Sequence, residues 1–125
     1  KDQEYTLVAR SRPRLVREVM AELEDAYPAV RDYTDAQRER TAEDVSHIVE
    51  FLTAALYTDD EELFTGFLLW TAEVLAARGV PSASLLPALT LLGRRLVDFP
   101  RAVAMLRAGA DRLTRTPPTA PHPTA

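Results

Sequence analysis

The stretch Thr41-Ala-Glu-Asp-Val-Ser-His-Ile-Val-Glu-Phe-Leu-Thr-Ala-Ala-Leu-Tyr57 decides how the chain is read. Val45, Ile48, Val49, Leu52 and Leu56 recur at three- and four-residue spacing, the apolar stripe of an amphipathic helix. Thr41-x-x-Asp44 predicts its start as a variant capping box, with the hydroxyl accepting from an orphan backbone N–H. The polar, helix-favouring residues 35–40 also allow a start nearer Thr34. Immediately downstream, Thr58-Asp59-Asp60-Glu61 predicts a second start, with three carboxylates at the positive end of a helix dipole. Leu63, Phe64, Phe67, Leu68, Trp70, Val74 and Leu75 then make more than half of a helix surface apolar, so this helix is expected to meet neighbours on several sides.

Working outward, Gly79 suits a helix C-terminus and Val80-Pro81-Ser82 a turn. Leu85, Leu86, Leu89, Leu92 and Leu96 predict a helix over about 82–97. Pro87 fits its first turn if Ser84 is the N-cap. Asp98 is the expected cap of a last helix carrying Val103, Leu106, Ala110 and Leu113. Towards the N-terminus, Leu15, Val16, Val19, Met20, Leu23 and Tyr27 predict a helix over 14–27 that opens with Pro13 in its first turn. Residues 2–10 are read as a separate, shorter helix. Tyr27-Pro28 closes the stripe, because the residue before proline is pushed out of the helical region. A short irregular or single-turn piece is expected from Ala29 to Thr34. Four prolines without apolar periodicity in 116–125 predict a disordered tail. The expected organisation is one all-α domain over 1–115, a bundle of about six helices, with that Pro-rich C-terminal tail.

Composition sets bounds on function. The 125 residues (13.9 kDa) are 46% apolar and 27% charged, which suits a single folded domain with a core. The absence of cysteine excludes disulfides, thiolate metal sites and cysteine nucleophiles. No apolar run approaches the roughly 18 residues of a membrane span and no signal peptide is visible, so a cytoplasmic protein with no membrane partner is expected. A net charge of −4 argues against a nucleic-acid partner, which calls for a basic footprint. The charge is unevenly placed. Residues 1–79 carry nine basic and seventeen acidic groups (−8), and residues 80–125 carry six and two (+4).

Few residues here carry chemistry. His122 lies in the tail. His47 sits in the decisive helix, where a histidine at the core margin is commoner than a pocket-lining donor. A single histidine does not make a closed zinc site. The carboxylates at 43–44 and 59–62 occupy helix starts, which explains them better than acid–base catalysis does. The four glycines are dispersed, so no phosphate loop exists. Ser46 and His47 are adjacent on a helix and point apart, so they form no dyad. Arg94, Arg95, Arg101, Arg107, Arg112 and Arg115 read first as a solvated helix face. Phe51, Phe64, Phe67 and Trp70 are ordinary core candidates that could also enclose a pocket. No enzyme is expected.

The order of parts resembles a globin over about residues 2–115. A helix ends in Tyr27-Pro28, a short turn follows through Tyr33, and a long helix contains His47. The next helix runs into Leu75-Ala-Ala-Arg-Gly79-Val80, and two more complete the chain. The resemblance implies that His47 is the distal residue, that Phe51 lies one turn further into the pocket, and that Leu75 holds the place of the haem-ligating histidine. Leucine cannot bind iron, so the chain is similar to the haem-free globin domains of bacterial stressosome proteins, which act as sensory or dimerising modules. It also resembles the phycobiliproteins: Asp44 and His47 match their Asp and His, while Glu43 and Thr41 replace the arginine and the attaching cysteine. Similar helical modules adjoin bacterial cobalamin-binding domains. The expectation is a haem-free sensory or interaction domain, pairing with a second copy or another signalling domain. It would have no cofactor, with a pocket formed by Asp44, His47, Phe51, Trp70 and Leu75 for an apolar ligand. The alternative is a photoreceptor or carrier holding bilin or haem noncovalently.

Overall fold

The computed structural model describes residues 2–116, all helix and connecting turns without a strand. Five α-helices follow in order: α1 Asp2–Ala26, α2 Asp35–Thr58, α3 Glu61–Ala77, α4 Leu85–Arg95 and α5 Pro100–Arg115. Single 3-10 turns at Pro28–Asp32 and Ser82–Ser84 lead into α2 and α4. α1 packs against α2 and α4, α3 against α2 and α5, and α4 against α5. The all-α class agrees with the periodicity, and the helix count is five rather than about six. Residues 117–125, and with them the expected tail and His122, lie outside the described residues.

The count differs because α1 runs unbroken through Pro13. Proline inside a helix removes a backbone hydrogen bond and costs about 3 kcal/mol. Val8, Leu15, Val19 and Leu23 are each at most 3% exposed, and they form one stripe whose spacing of seven, four and four is unbroken across the proline. Burying four aliphatic side chains at roughly 1.5–3 kcal/mol each outweighs the lost bond. The predicted division into two helices, with Pro13 opening the second, is thereby corrected.

Capping decides the other ends. α2 starts at Thr34, whose Oγ1 accepts from Gln37 N at 3.1 Å while Gln37 Oε1 accepts from Thr34 N at 2.8 Å. This reciprocal box precedes Thr41, which lies inside the helix and donates its hydroxyl to Gln37 O. The earlier of the two expected starts is the real one. α3 is capped by Asp60, whose Oδ1 accepts from Glu62 N at 3.1 Å. Thr58 instead ends α2, and Asp59 follows it in the left-handed region at φ 56°. At the far end of α3, Gly79 adopts φ +77°. Gly79 N donates to Ala76 O and Val80 N to Leu75 O, the paired bonds of a Schellman turn.

Ser84 does precede α4, placing Pro87 in the first turn, but its side chain makes no capping bond. Asp98 does not cap α5 either. Phe99 and Pro100 open that helix, and its N-terminal N–H groups are met from the opposite end of the sequence. Glu4 Oε1 accepts from Arg101 N and Ala102 N, both at 3.1 Å. The Arg101 guanidinium in turn donates to Leu56 O at 2.9 Å, near the end of α2, and to Asp59 Oδ1 at 3.2 Å. Elsewhere Arg95 of α4 clamps Glu18 and Glu22 of α1.

One core runs through all five helices. Leu89, Leu92 and Leu96 are buried inside it and Leu86 is half-buried. α3 meets α2, α5 and the second 3-10 turn, yet Trp70 faces outward at 63% exposure. Gly109 lets α5 approach α3 closely. A Cβ at this position would fall inside contact distance of Leu68 Cδ1 and 3.0 Å from Phe64 Cε2. No described helix is long and apolar enough to cross a membrane.

Candidate functional site

A cavity of about 400 Å³ opens at one end of the bundle, within the roughly 300–1,000 Å³ usual for small-molecule sites. Its walls follow directly from the capping pattern. The Thr34 box starts α2 level with the last turns of α1, where Arg38 meets Glu24 at 2.8 Å. The first 3-10 turn carries the chain across the gap, and the Schellman turn at Gly79 brings α3 back to face it. Leu23, Val30, Val45, Ile48, Leu75, Leu85 and Ala88 give the cavity an apolar lining. Tyr27, Tyr33, Gln37, Arg40, Thr41, Asp44, Arg78 and Ser84 add polar groups.

Polar pairing differs within this set. Gln37 and Thr41 are committed to α2's own backbone. The side chains of Tyr27, Tyr33, Arg40, Asp44, Arg78 and Ser84 make no hydrogen bond or ion pair within the described residues. Burial pushes the Tyr33 phenol above its usual pKa, and neighbouring Tyr27 adds to the rise. Burial also raises Asp44 above the ordinary carboxylate range. Arg78, His47 and Arg40 partly offset this, and Glu43 reinforces it. The cavity therefore combines burial at Tyr33 and Asp44 with exposed arginines, and these hydrogen-bonding groups have no partner among the described residues.

The five residues singled out from the sequence are not brought together. Asp44 and Leu75 share the cavity, on opposing helices. His47 stands outside it, about 60° round the helix from Asp44. Its side chain is 57% exposed, with Nδ1 3.2 Å from Glu50 Oε1. Phe51 lies seven residues beyond Asp44, about 10 Å along the axis, where α3 covers α2. There it stacks on Phe67, with centroids 4.1 Å apart and planes 8° from parallel. Trp70 extends this aromatic seam at 6.4 Å from Phe67 and reaches solvent. His47, Phe51 and Trp70 are thus corrected from pocket walls to surface and seam.

Tyr27, Tyr33, Arg40 and Arg78 were not identified from the sequence as site residues. Tyr27-Pro28 was read only as a helix end, and Arg78-Gly79 only as a helix terminus.

These residues do not fit haem. The cavity presents no imidazole, thiolate or thioether, and burial raises the Tyr33 pKa, which opposes the phenolate that iron would require. Among the described residues no three His, Cys, Asp or Glu side chains gather as a metal group. No protein-family model matches the chain, and no curated protein is significantly similar to it.

Proposed function

We propose that the chain is a non-catalytic, haem-free globin-like sensory or interaction module. In this reading a small molecule with an apolar body occupies the cavity and changes how the helices pack. The signal then passes to a second copy or to an adjoining signalling domain in the cytoplasm. The globin likeness is supported by the order of parts: a helix ending at Tyr27-Pro28, a 3-10 turn, a long helix, and a helix leading to Gly79-Val80 with Leu75 inside the cavity.

One observation carries the proposal. A single cavity is walled by the end of α1, the first half of α2, the end of α3, the start of α4 and both 3-10 turns, so an occupant touches six elements at once. Short turns and helix ends are the parts of a bundle that open at least cost, and a ligand bridging them shifts the packing equilibrium towards the closed arrangement.

The test uses N-phenylnaphthylamine, an uncharged fluorescent aromatic. Saturable one-to-one binding is expected, with increased amide-exchange protection at Tyr33 and Val80. Ser84→Trp, which places an indole in the cavity from its half-exposed wall, should abolish both effects while leaving the helical circular dichroism unchanged. Binding that survives Ser84→Trp, or no saturable binding at all, overturns the proposal.

A further inference from the structure

We infer that the cavity selects an aromatic anion, gripping its acidic group with Arg40 and Arg78 while the ring lies against Tyr27 and Tyr33. This inference rests on the proposal that the cavity is a ligand site and adds the chemical class of the ligand.

Charge is the first observation. Residues 1–79 carry a net −8, yet this cavity in the same half is lined by two guanidinium groups and one carboxylate. Arg40 comes from α2 and Arg78 follows the last residue of α3 as its C-cap, so the two are carried by different elements of the lining. Neither makes an ion pair with any described carboxylate. Both act on Asp44 through space without contacting it. Several other arginines are engaged with carboxylates: Arg38 on Glu24 at 2.8 Å, Arg95 on Glu18 and Glu22, Arg101 on Asp59 and Arg112 on Glu62. Arg10, Arg17, Arg94 and Arg107 are not, among the described residues, but none of these four lines this cavity. Arg40 and Arg78 are both exposed to solvent at the rim of the cavity, and without such partners they remain available to a bound anion.

Shape is the second observation. Two half-buried tyrosines stand on the same side of the cavity, before and after the 3-10 turn that forms one wall, above an aliphatic floor. Aromatic side chains in a cavity wall favour a flat ring through offset or edge contacts. The one carboxylate in the lining leaves the site with net positive charge, and Asp44 can accept from a donor on the same ring.

A matched pair of probes decides the question. Anilinonaphthalenesulfonate carries the ring system of N-phenylnaphthylamine plus one sulfonate. The sulfonate should bind wild-type protein about tenfold more tightly than the neutral parent, as a charge-assisted hydrogen-bond pair provides. In the Arg40→Gln, Arg78→Gln double variant the two affinities should converge, with that of the neutral parent unchanged. A wild-type ratio near one, or a ratio that the double variant leaves intact, overturns the anion assignment and leaves the cavity reading standing. Absence of saturable binding by either probe overturns both. Ser84→Trp identifies sulfonate bound elsewhere on the surface, since such binding would survive it; an anion preference found only there overturns the assignment as well.

Discussion

The two ends of the bundle treat their polar groups in opposite ways. At the end where α5 begins, Glu4 accepts from two backbone N–H groups of α5, and Arg101 closes over the end of α2 through Leu56 O and Asp59. Three helices that are distant in sequence are locked by groups that satisfy one another. At the cavity end, six polar side chains line a space and make no hydrogen bond or ion pair among the described residues. The same fold thus has a sealed end, where polar groups pair with one another, and an open end, where they do not; the proposed function gives the unpaired groups a ligand to meet.

The largest effect that would test this contrast is expected from Arg101→Ala. It removes the donor to Leu56 O and Asp59 and should lower the unfolding free energy by about 2–3 kcal/mol, as for hydrogen bonds made by charged groups. Urea denaturation measures it. A loss no greater than that of an exposed arginine would show that the sealed end is not a lock. Glu4→Ala should cost about 1–2 kcal/mol, the scale of a helix N-cap. Combined with Arg101→Ala it should be less than additive, because the two residues share the start of α5. Strict additivity would dissolve the network into unrelated contacts.

The smallest effect lies at the open end and has the opposite sign. Burial raises the Asp44 pKa in the folded protein, so the native state holds the proton more tightly than the unfolded chain does. Stability therefore falls as pH rises from the usual aspartate range through the folded pKa, and the ionised carboxylate is a net cost at neutral pH. Asp44→Asn should raise the melting temperature at neutral pH and flatten that part of the pH dependence. A lower melting temperature would mean that Asp44 is as well satisfied as the groups of the sealed end.

Those features governed by neighbours within a turn or two were legible in the sequence. The stripes of α2 and α3 could be read directly, as could the Gly79 terminus and the break at Pro28. The start of α2 was only half legible, because Thr34-x-x-Gln37 and Thr41-x-x-Asp44 carry the same signature and only the first is used. Glu4 could not be found as the cap of α5, since 97 residues separate it from Arg101 and nothing local marks it. The cavity was partly legible. Asp44 and Leu75 were among the residues named, but His47 and Phe51 were placed with them by the resemblance to a globin. Spacing leaves the relative height and rotation of two helices undetermined, and α3 crosses α2 so that Phe67 occupies the place where the pocket was expected to continue.

α1 is present at both ends. Its 25 residues span about 37 Å, with Glu4 at the lock and Leu23 at the mouth. It is in effect a strut between a fixed bearing and a free one. Under the proposed function, a tilt imposed by an occupant at Leu23 and Tyr27 would have two places to go: into the Glu4 contact with α5, or into a bend at Pro13, where the backbone ladder is already missing a rung. The proline that a helix would ordinarily avoid thereby separates a strut that transmits movement from one that absorbs it.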